Sequence, residues 1–128
     1  MRTEWNEERL KDIARRSGVS QTLADVSYGR FVFHHSPSKL FCRWFNGGAF
    51  LIAVKNKRAF RIIGIACVKE WQRKGVGSLL LSVAIDEARK CGYKLIETRS
   101  KEGAEFYCRK GFDVVGMKGG DYLLNLQL

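Results

Sequence analysis

Gln72-Arg73-Lys74-Gly75-Val76-Gly77-Ser78 joins an apolar run, Ala59 to Val68, to an amphipathic one, Gly75 to Cys91. The upstream run has Phe60, Ile62 and Val68 on one face and Ile63, Ile65 and Cys67 on the other, which predicts a central strand covered on both sides. Downstream, Val76, Leu79, Leu80, Val83, Ala84 and Ala88 recur at three and four, Asp86 and Glu87 face outward, and Gly92 follows as a terminator. That spacing predicts a helix. The seven residues between are therefore a strand-to-helix turn. A helix start presents free N–H donors and the positive end of the dipole, and glycines let backbone approach an anion without a Cβ in the way. A pyrophosphate suits such a turn, although a Gly-x-Gly turn of this kind taken alone fits a purely structural role equally well. It is not a P-loop, since no Gly-x-x-x-x-Gly-Lys-Ser/Thr is present, and Leu80 stands where a dinucleotide fingerprint needs its third glycine. Kinase and dehydrogenase readings are excluded.

Outward from this turn, residues 4–16 predict a helix with Thr3 as its N-cap and Trp5, Leu10, Ile13 and Ala14 on one side, and a second helix starts at the cap Ser20. After Gly29, short apolar and aromatic runs at Phe31–His34, Leu40–Phe45, Phe50–Lys55 and Ala59–Val68, divided by turn signals, predict an antiparallel meander. Beyond the central helix come a strand at Lys94–Thr98, a short helix at Lys101–Lys110 ended by Gly111, a strand at Phe112–Met117 and a last strand at Tyr122–Leu128. The expected architecture is α/β of the α+β type: one domain, residues 1–128, with a mixed, mostly antiparallel sheet flanked by helices.

The chain has 23 Lys and Arg against 13 Asp and Glu, a net charge of +10, which favours an anionic partner. No apolar run reaches the roughly 20 residues of a bilayer span, and the start lacks a signal-peptide core, so the expected location is cytoplasmic. Cys42, Cys67, Cys91 and Cys108 lie 17 to 25 residues apart, and the two histidines, His34 and His35, are adjacent. This spacing predicts neither a metal site nor a disulfide framework.

Gln72, Gly75 and Gly77 match, position by position, the Gln/Arg-x-x-Gly-x-Gly/Ala pattern of the GNAT family of N-acetyltransferases. A second block, Phe106-Tyr107-Cys108-Arg109-Lys110-Gly111-Phe112, resembles that family's Phe/Leu-Tyr-x-x-x-Gly-Phe segment. The resemblance spans about Phe60 to Met117 and departs from the pattern at Lys69, where many members have proline. It implies a GNAT-like sheet whose central strands, around Ile62–Val68 and Leu95–Thr98, splay into a V that admits acetyl-CoA. It implies that the backbone of Arg73, Lys74, Gly75, Val76, Gly77 and Ser78 holds the CoA pyrophosphate after Gln72. Main-chain groups of Cys67 and Val68 would pair with the pantetheine arm, and Ser100 would stand in for the family's usual asparagine. Tyr107 matches the acid that protonates the departing thiolate, and Glu97 the base that some members place in the strand before it. The partners implied are acetyl-CoA and an amine acceptor, small molecule or protein, in a monomer or homodimer, with no metal and no acyl-enzyme.

Two further signals compete. His34 and His35 are alternative bases, because in a strand one of two neighbours faces inward. Residues 10–23 resemble the first two helices of a helix-turn-helix, which with the basic charge offers a DNA- or RNA-binding or nucleic-acid-modifying alternative on the same fold.

Overall fold

The computed structural model describes residues 1–128. Helices α1 (Glu7–Ser17) and α2 (Gln21–His35) lead into strands β1 (Leu40–Phe45), β2 (Ala49–Lys55) and β3 (Phe60–Cys67). Helix α3 (Val76–Lys90), β4 (Leu95–Ser100), α4 (Ala104–Arg109), β5 (Asp113–Lys118) and β6 (Asp121–Gln127) complete the chain. The six strands form one sheet in the order β1-β2-β3-β4-β6-β5, antiparallel throughout except for the β3–β4 pair. This is the mixed, mostly antiparallel sheet flanked by helices that the sequence predicts.

Parallel pairing of β3 with β4 lasts for three rungs, Phe60↔Ile96, Arg61↔Glu97 and Ile62↔Thr98, and then stops. Beyond Ile62 and Thr98 the two strands have no shared ladder, so the sheet opens as a V at its centre. Thr98 closes the bottom of that V: its hydroxyl donates to the Ile62 carbonyl across the gap at 3.0 Å.

Each face of the sheet has its own core. On one, Leu80, Leu81, Ala84 and Ala88 of α3 pack with Phe60, Ile62, Ile96, Leu124 and Tyr107. On the other, Leu10, Ile13 and Ala14 of α1 and Val26 of α2 pack with Cys42, Trp44, Phe50, Ile52 and Ala66. The faces of β3 differ from the simple alternation the sequence predicts. The β2–β3 register slips between Ile52↔Gly64 and Ala53↔Ile62, leaving Ile63 as an extra residue in a bulge. Phe60 and Ile62 therefore face α3, Ile63 and Gly64 both face α1 and α2, and Ile65 and Cys67 return to the α3 side while Val68 does not. A bulge changes the parity of every residue after it.

The N-terminal third also differs from expectation. Phe31–His34 is no strand but the last turn of α2, and Gly29, after which the strands were expected to begin, lies inside the helix. Gly29 is there because Trp5 packs on it: a Cβ would fall 2.8 Å from the indole. The N-cap of α1 is Asn6, whose side chain accepts from the Arg9 amide, and not Thr3. Trp5 thus precedes the helix and stacks on Phe33 at 5.9 Å.

Candidate active site at the sheet opening

The anion turn is built by conformations that few residues adopt. Arg73 has φ +63° and Gly75 φ +81°, so the chain doubles back on itself just before α3. The first intrahelical bond of α3 runs from the Leu79 amide to the Gly75 carbonyl, and no side chain caps the helix. The amides from Arg73 to Ser78 consequently donate to nothing in the protein. Six adjacent unpaired donors, with the α3 dipole behind them and the unpaired cations Arg73 and Lys74 alongside, form an anion cradle. No atom lies within 4 Å of the position a Gly75 Cβ would take, so it is the positive φ and not crowding that calls for glycine here.

Gln72 does not point into the cradle. Its side-chain amide donates to the Cys67 carbonyl at 3.0 Å and the Ser17 carbonyl at 3.2 Å, tying the turn to the end of β3 and to α1. Trp71 adds a second tie by packing edge-on against Phe45 and over Gly47. Val68 is not available for a ligand either, because its amide donates to Gly48 at 2.8 Å and its carbonyl accepts from Trp71 at 2.9 Å. The alternation of antiparallel pairing turns Ala66 and Gly64 toward β2 in the same way, which directs the main-chain groups of Ile65 and Cys67 into the opening. The main-chain groups left to an extended ligand are therefore those of Ile65 and the Cys67 amide, since the Cys67 carbonyl already accepts from Gln72, and the Val68 expectation is corrected accordingly.

Tyr107 stands at the bottom of the V, on the α3 side. It is 5% exposed, packed by Phe106 and Phe112, and burial pushes its phenol well above the ordinary tyrosine range; Thr98 acts in the opposite direction and the Asp25 charge adds to the rise. The hydroxyl is therefore protonated at any physiological pH. Ser100 lies at the end of β4 and its hydroxyl accepts from the Gly103 amide at 2.8 Å, fixing the start of α4 and so the placement of Tyr107. A Cβ on Gly103 would fall 2.8 Å from that oxygen.

Glu97 projects from the opposite face of β4 into a cleft of about 310 Å³ that it lines with Arg61, Arg99, Lys118, Leu123 and Asn125. This cleft occupies the part of the sheet that α1 and α2 leave uncovered. Arg99 is held there by Asp121 at 2.7 Å, whereas Glu97 joins no salt bridge. A larger cleft, about 450 Å³ beside Lys39, Lys55 and Cys91, sits at the far end of α3 from the cradle. Cys42 and Cys67, the two cysteines nearest the sheet core, are not set up as nucleophiles: burial pushes the Cys42 thiol up to about 12 and raises that of Cys67 as well.

His34 and His35, the alternative bases, lie on the exposed last turn of α2, where His35 Nδ1 pairs with the Phe31 carbonyl at 2.8 Å and its ring stacks on Phe31. In the helix-turn-helix-like segment the first residues of the second helix are engaged within the protein. Thr22 is buried with its hydroxyl on the Ala14 and Val19 carbonyls, and the Gln21 amide is turned to Asp25. One buried acid was absent from the sequence-based site: Asp25 of α2, 7% exposed. Its signal was present, since Thr22, Asp25, Val26, Gly29 and Val32 trace the buried stripe of a helix and an aspartate on such a stripe is out of place.

A family model described as an acetyltransferase (GNAT) domain matches residues 39–114, more than half of the chain. No curated protein matches by sequence. Among solved structures, the PaiA N-acetyltransferase of Thermoplasma acidophilum in complex with coenzyme A superposes with a TM-score of 0.76 at 18% identity, over 100% of both chains. The ribosomal-protein-S18-alanine N-acetyltransferase of Escherichia coli gives 0.72 at 19% identity, over 98% of this chain and 91% of the other. A Bacillus subtilis acetyltransferase in complex with CoA gives 0.67 at 21%, over 98% and 94%. The chain belongs to the GNAT family of acyl-CoA-dependent N-acetyltransferases.

Proposed function

We propose that the protein transfers an acetyl group from acetyl-CoA to a primary amine by direct attack within a ternary complex. The observation that carries this reading is the row of six unpaired amides at the start of α3, opening onto a gap whose bottom holds a protonated tyrosine. CoA-bound structures of similar fold support the same cofactor. Acetyl-CoA supplies an activated acetyl thioester. Arg73 to Ser78 hold its pyrophosphate through their amides, with the Arg73 and Lys74 side chains adding charge, and Ile65 and Cys67 pair with the amide-bearing arm. Gln72 and Ser100 act by holding the turn and α4 in place. The Tyr107 phenol donates its proton to the departing sulfur; burial keeps that proton in place until a thiolate appears beside it. Free N–H groups on the gap-facing edge of β3 stabilise the charge that builds on the carbonyl oxygen. Glu97, Arg61 and Lys118 line the acceptor cleft, which opens to the same side of the sheet as α2.

Thiol release from acetyl-CoA with benzylamine as acceptor tests the assignment. Tyr107→Phe should lower kcat by about 100-fold or more, the scale of general acid catalysis, while the acetyl-CoA dissociation constant stays unchanged. Equal turnover would remove Tyr107 from the chemistry. A basic partner such as spermidine is disfavoured by the +10 charge. The family match and the CoA-bound structures of similar fold support the acetyltransferase reading and lend no support to the nucleic-acid alternative.

A further inference from the structure

We infer that Asp25 receives the acceptor's ammonium group and takes its proton, which makes α2, and not β4, the source of the catalytic base. This rests on the acetyltransferase reading above and deepens it.

Asp25 is the only charged side chain among the buried residues of the protein. Its carboxylate lies directly on the main chain of Gly64, where a Cβ would fall 2.1 Å from Oδ2. Gly64 is the second residue of β3 past the last rung shared with β4, so the carboxylate overhangs the mouth of the V from the face opposite Tyr107. Oδ1 accepts from the Gln21 side-chain amide at 3.3 Å. Oδ2 has no partner, and since every fully buried side-chain polar atom in the protein has one, this oxygen retains an opening to solvent. Tyr107 packs in the core on the α3 face of the sheet and Asp25 is buried on the α1–α2 face, so acid and base stand on opposite faces. Burial raises the Asp25 carboxyl to about 6 with only the Gln21 amide opposing it, and no cationic side chain of α1, α2 or β3 enters its surroundings. A carboxylate so placed, without a resident cation, favours an incoming ammonium and binds its proton far better than an exposed acid does.

Glu97 also faces the α2 side, but it sits on the rung before the opening and points into the wide cleft, away from the splayed part of β3. It is suited to binding the acceptor's body. In the reaction the Asp25 carboxylate removes one proton from R–NH3⁺ and becomes the neutral acid. The freed lone pair forms the C–N bond as the C–S bond breaks, and the sulfur takes the Tyr107 proton. The second proton shed by nitrogen restores the phenol, and the proton on Asp25 returns to solvent.

Two nucleophiles separate this role from a structural one. Benzylamine is an ammonium ion near neutrality and needs a base, whereas hydroxylamine is largely unprotonated there and does not. Asp25→Asn should slow acetyl transfer to benzylamine by about 100-fold or more while transfer to hydroxylamine falls only a few-fold, with acetyl-CoA binding by calorimetry unchanged as the check on folding. In the wild type, kcat/KM for benzylamine should also fall on the acid side with a midpoint near 6, and Asp25→Asn should lack that limb. Equal losses for both nucleophiles, no loss for either, or the selective loss in Glu97→Gln alone would overturn the assignment. Failure of the wild type to bind acetyl-CoA or to acetylate either nucleophile would instead contradict the acetyltransferase reading, and this inference with it.

Discussion

Neutralising Asp25 should make the protein more stable at neutral pH. Its carboxyl titrates at about 6 in the fold against an ordinary 3.8, so the native state holds a proton that the unfolded chain has released throughout that interval. Stability therefore falls as pH rises from about 4 to about 6, and above it the buried charge costs about 3 kcal/mol, two units at about 1.4 kcal/mol each. Thermal melting should show Asp25→Asn above the wild type at pH 7 and level with it below pH 4. A lower melting point at pH 7 would mean that the carboxylate is satisfied by something other than solvent and the Gln21 amide. A residue that lowers stability at the mouth of the proposed site is the pattern expected when function sets its identity. At this scale the sequence was informative where chemistry imposes a pattern on neighbouring residues. Gly75 and Gly77 announce the cradle and Tyr107 announces itself within Phe106–Phe112, because both lie in contiguous motifs. Asp25 lies in none, and its placement depends on a stripe that only a correct reading of α2 reveals.

Where α2 meets β3, two elements are fitted to each other through one missing side chain. Gly64→Ala places a Cβ in the space of the Asp25 carboxylate, and overpacking of this kind costs about 1–3 kcal/mol. Urea denaturation should show that loss in the wild-type background and much less of it when Asp25→Ala has already emptied the site, since residues in contact are not additive. Additive effects would contradict the close approach. The elements whose apolar spacing is strong, α3 and the strands from β1 onward, are predicted at nearly their observed bounds. Two readings failed for physical reasons that act over a distance. Gly29 looks like a helix end because the indole that needs its space belongs to Trp5, far away in sequence. The Ile63 bulge cannot be seen in an unbroken apolar run, since Ile62, Ile63 and Ile65 satisfy either parity equally well.

For the molecule as a whole, the +10 charge is a field that favours anions everywhere, and the cradle is where that field meets donors with no other partner. Acetyl-CoA affinity should accordingly weaken as salt is raised from about 0.05 to 0.5 M, over which the Debye length shrinks from about 14 to 4 Å. The short-range amide contacts should survive that change, so binding is weakened and not abolished. Abolition would mean that the site is only a charged surface. Calorimetric titration of the wild type and Gly75→Glu with acetyl-CoA decides whether residues 73–78 hold the phosphates of a CoA thioester. Glutamate forces an L side chain into a left-handed backbone and sets a negative charge among the amides, yet its Cβ meets no atom within 4 Å, so the fold should persist. Saturable one-to-one binding by the wild type and its loss in a folded Gly75→Glu are the expected results. Undiminished binding by the variant, or none by the wild type, would contradict that role for residues 73–78.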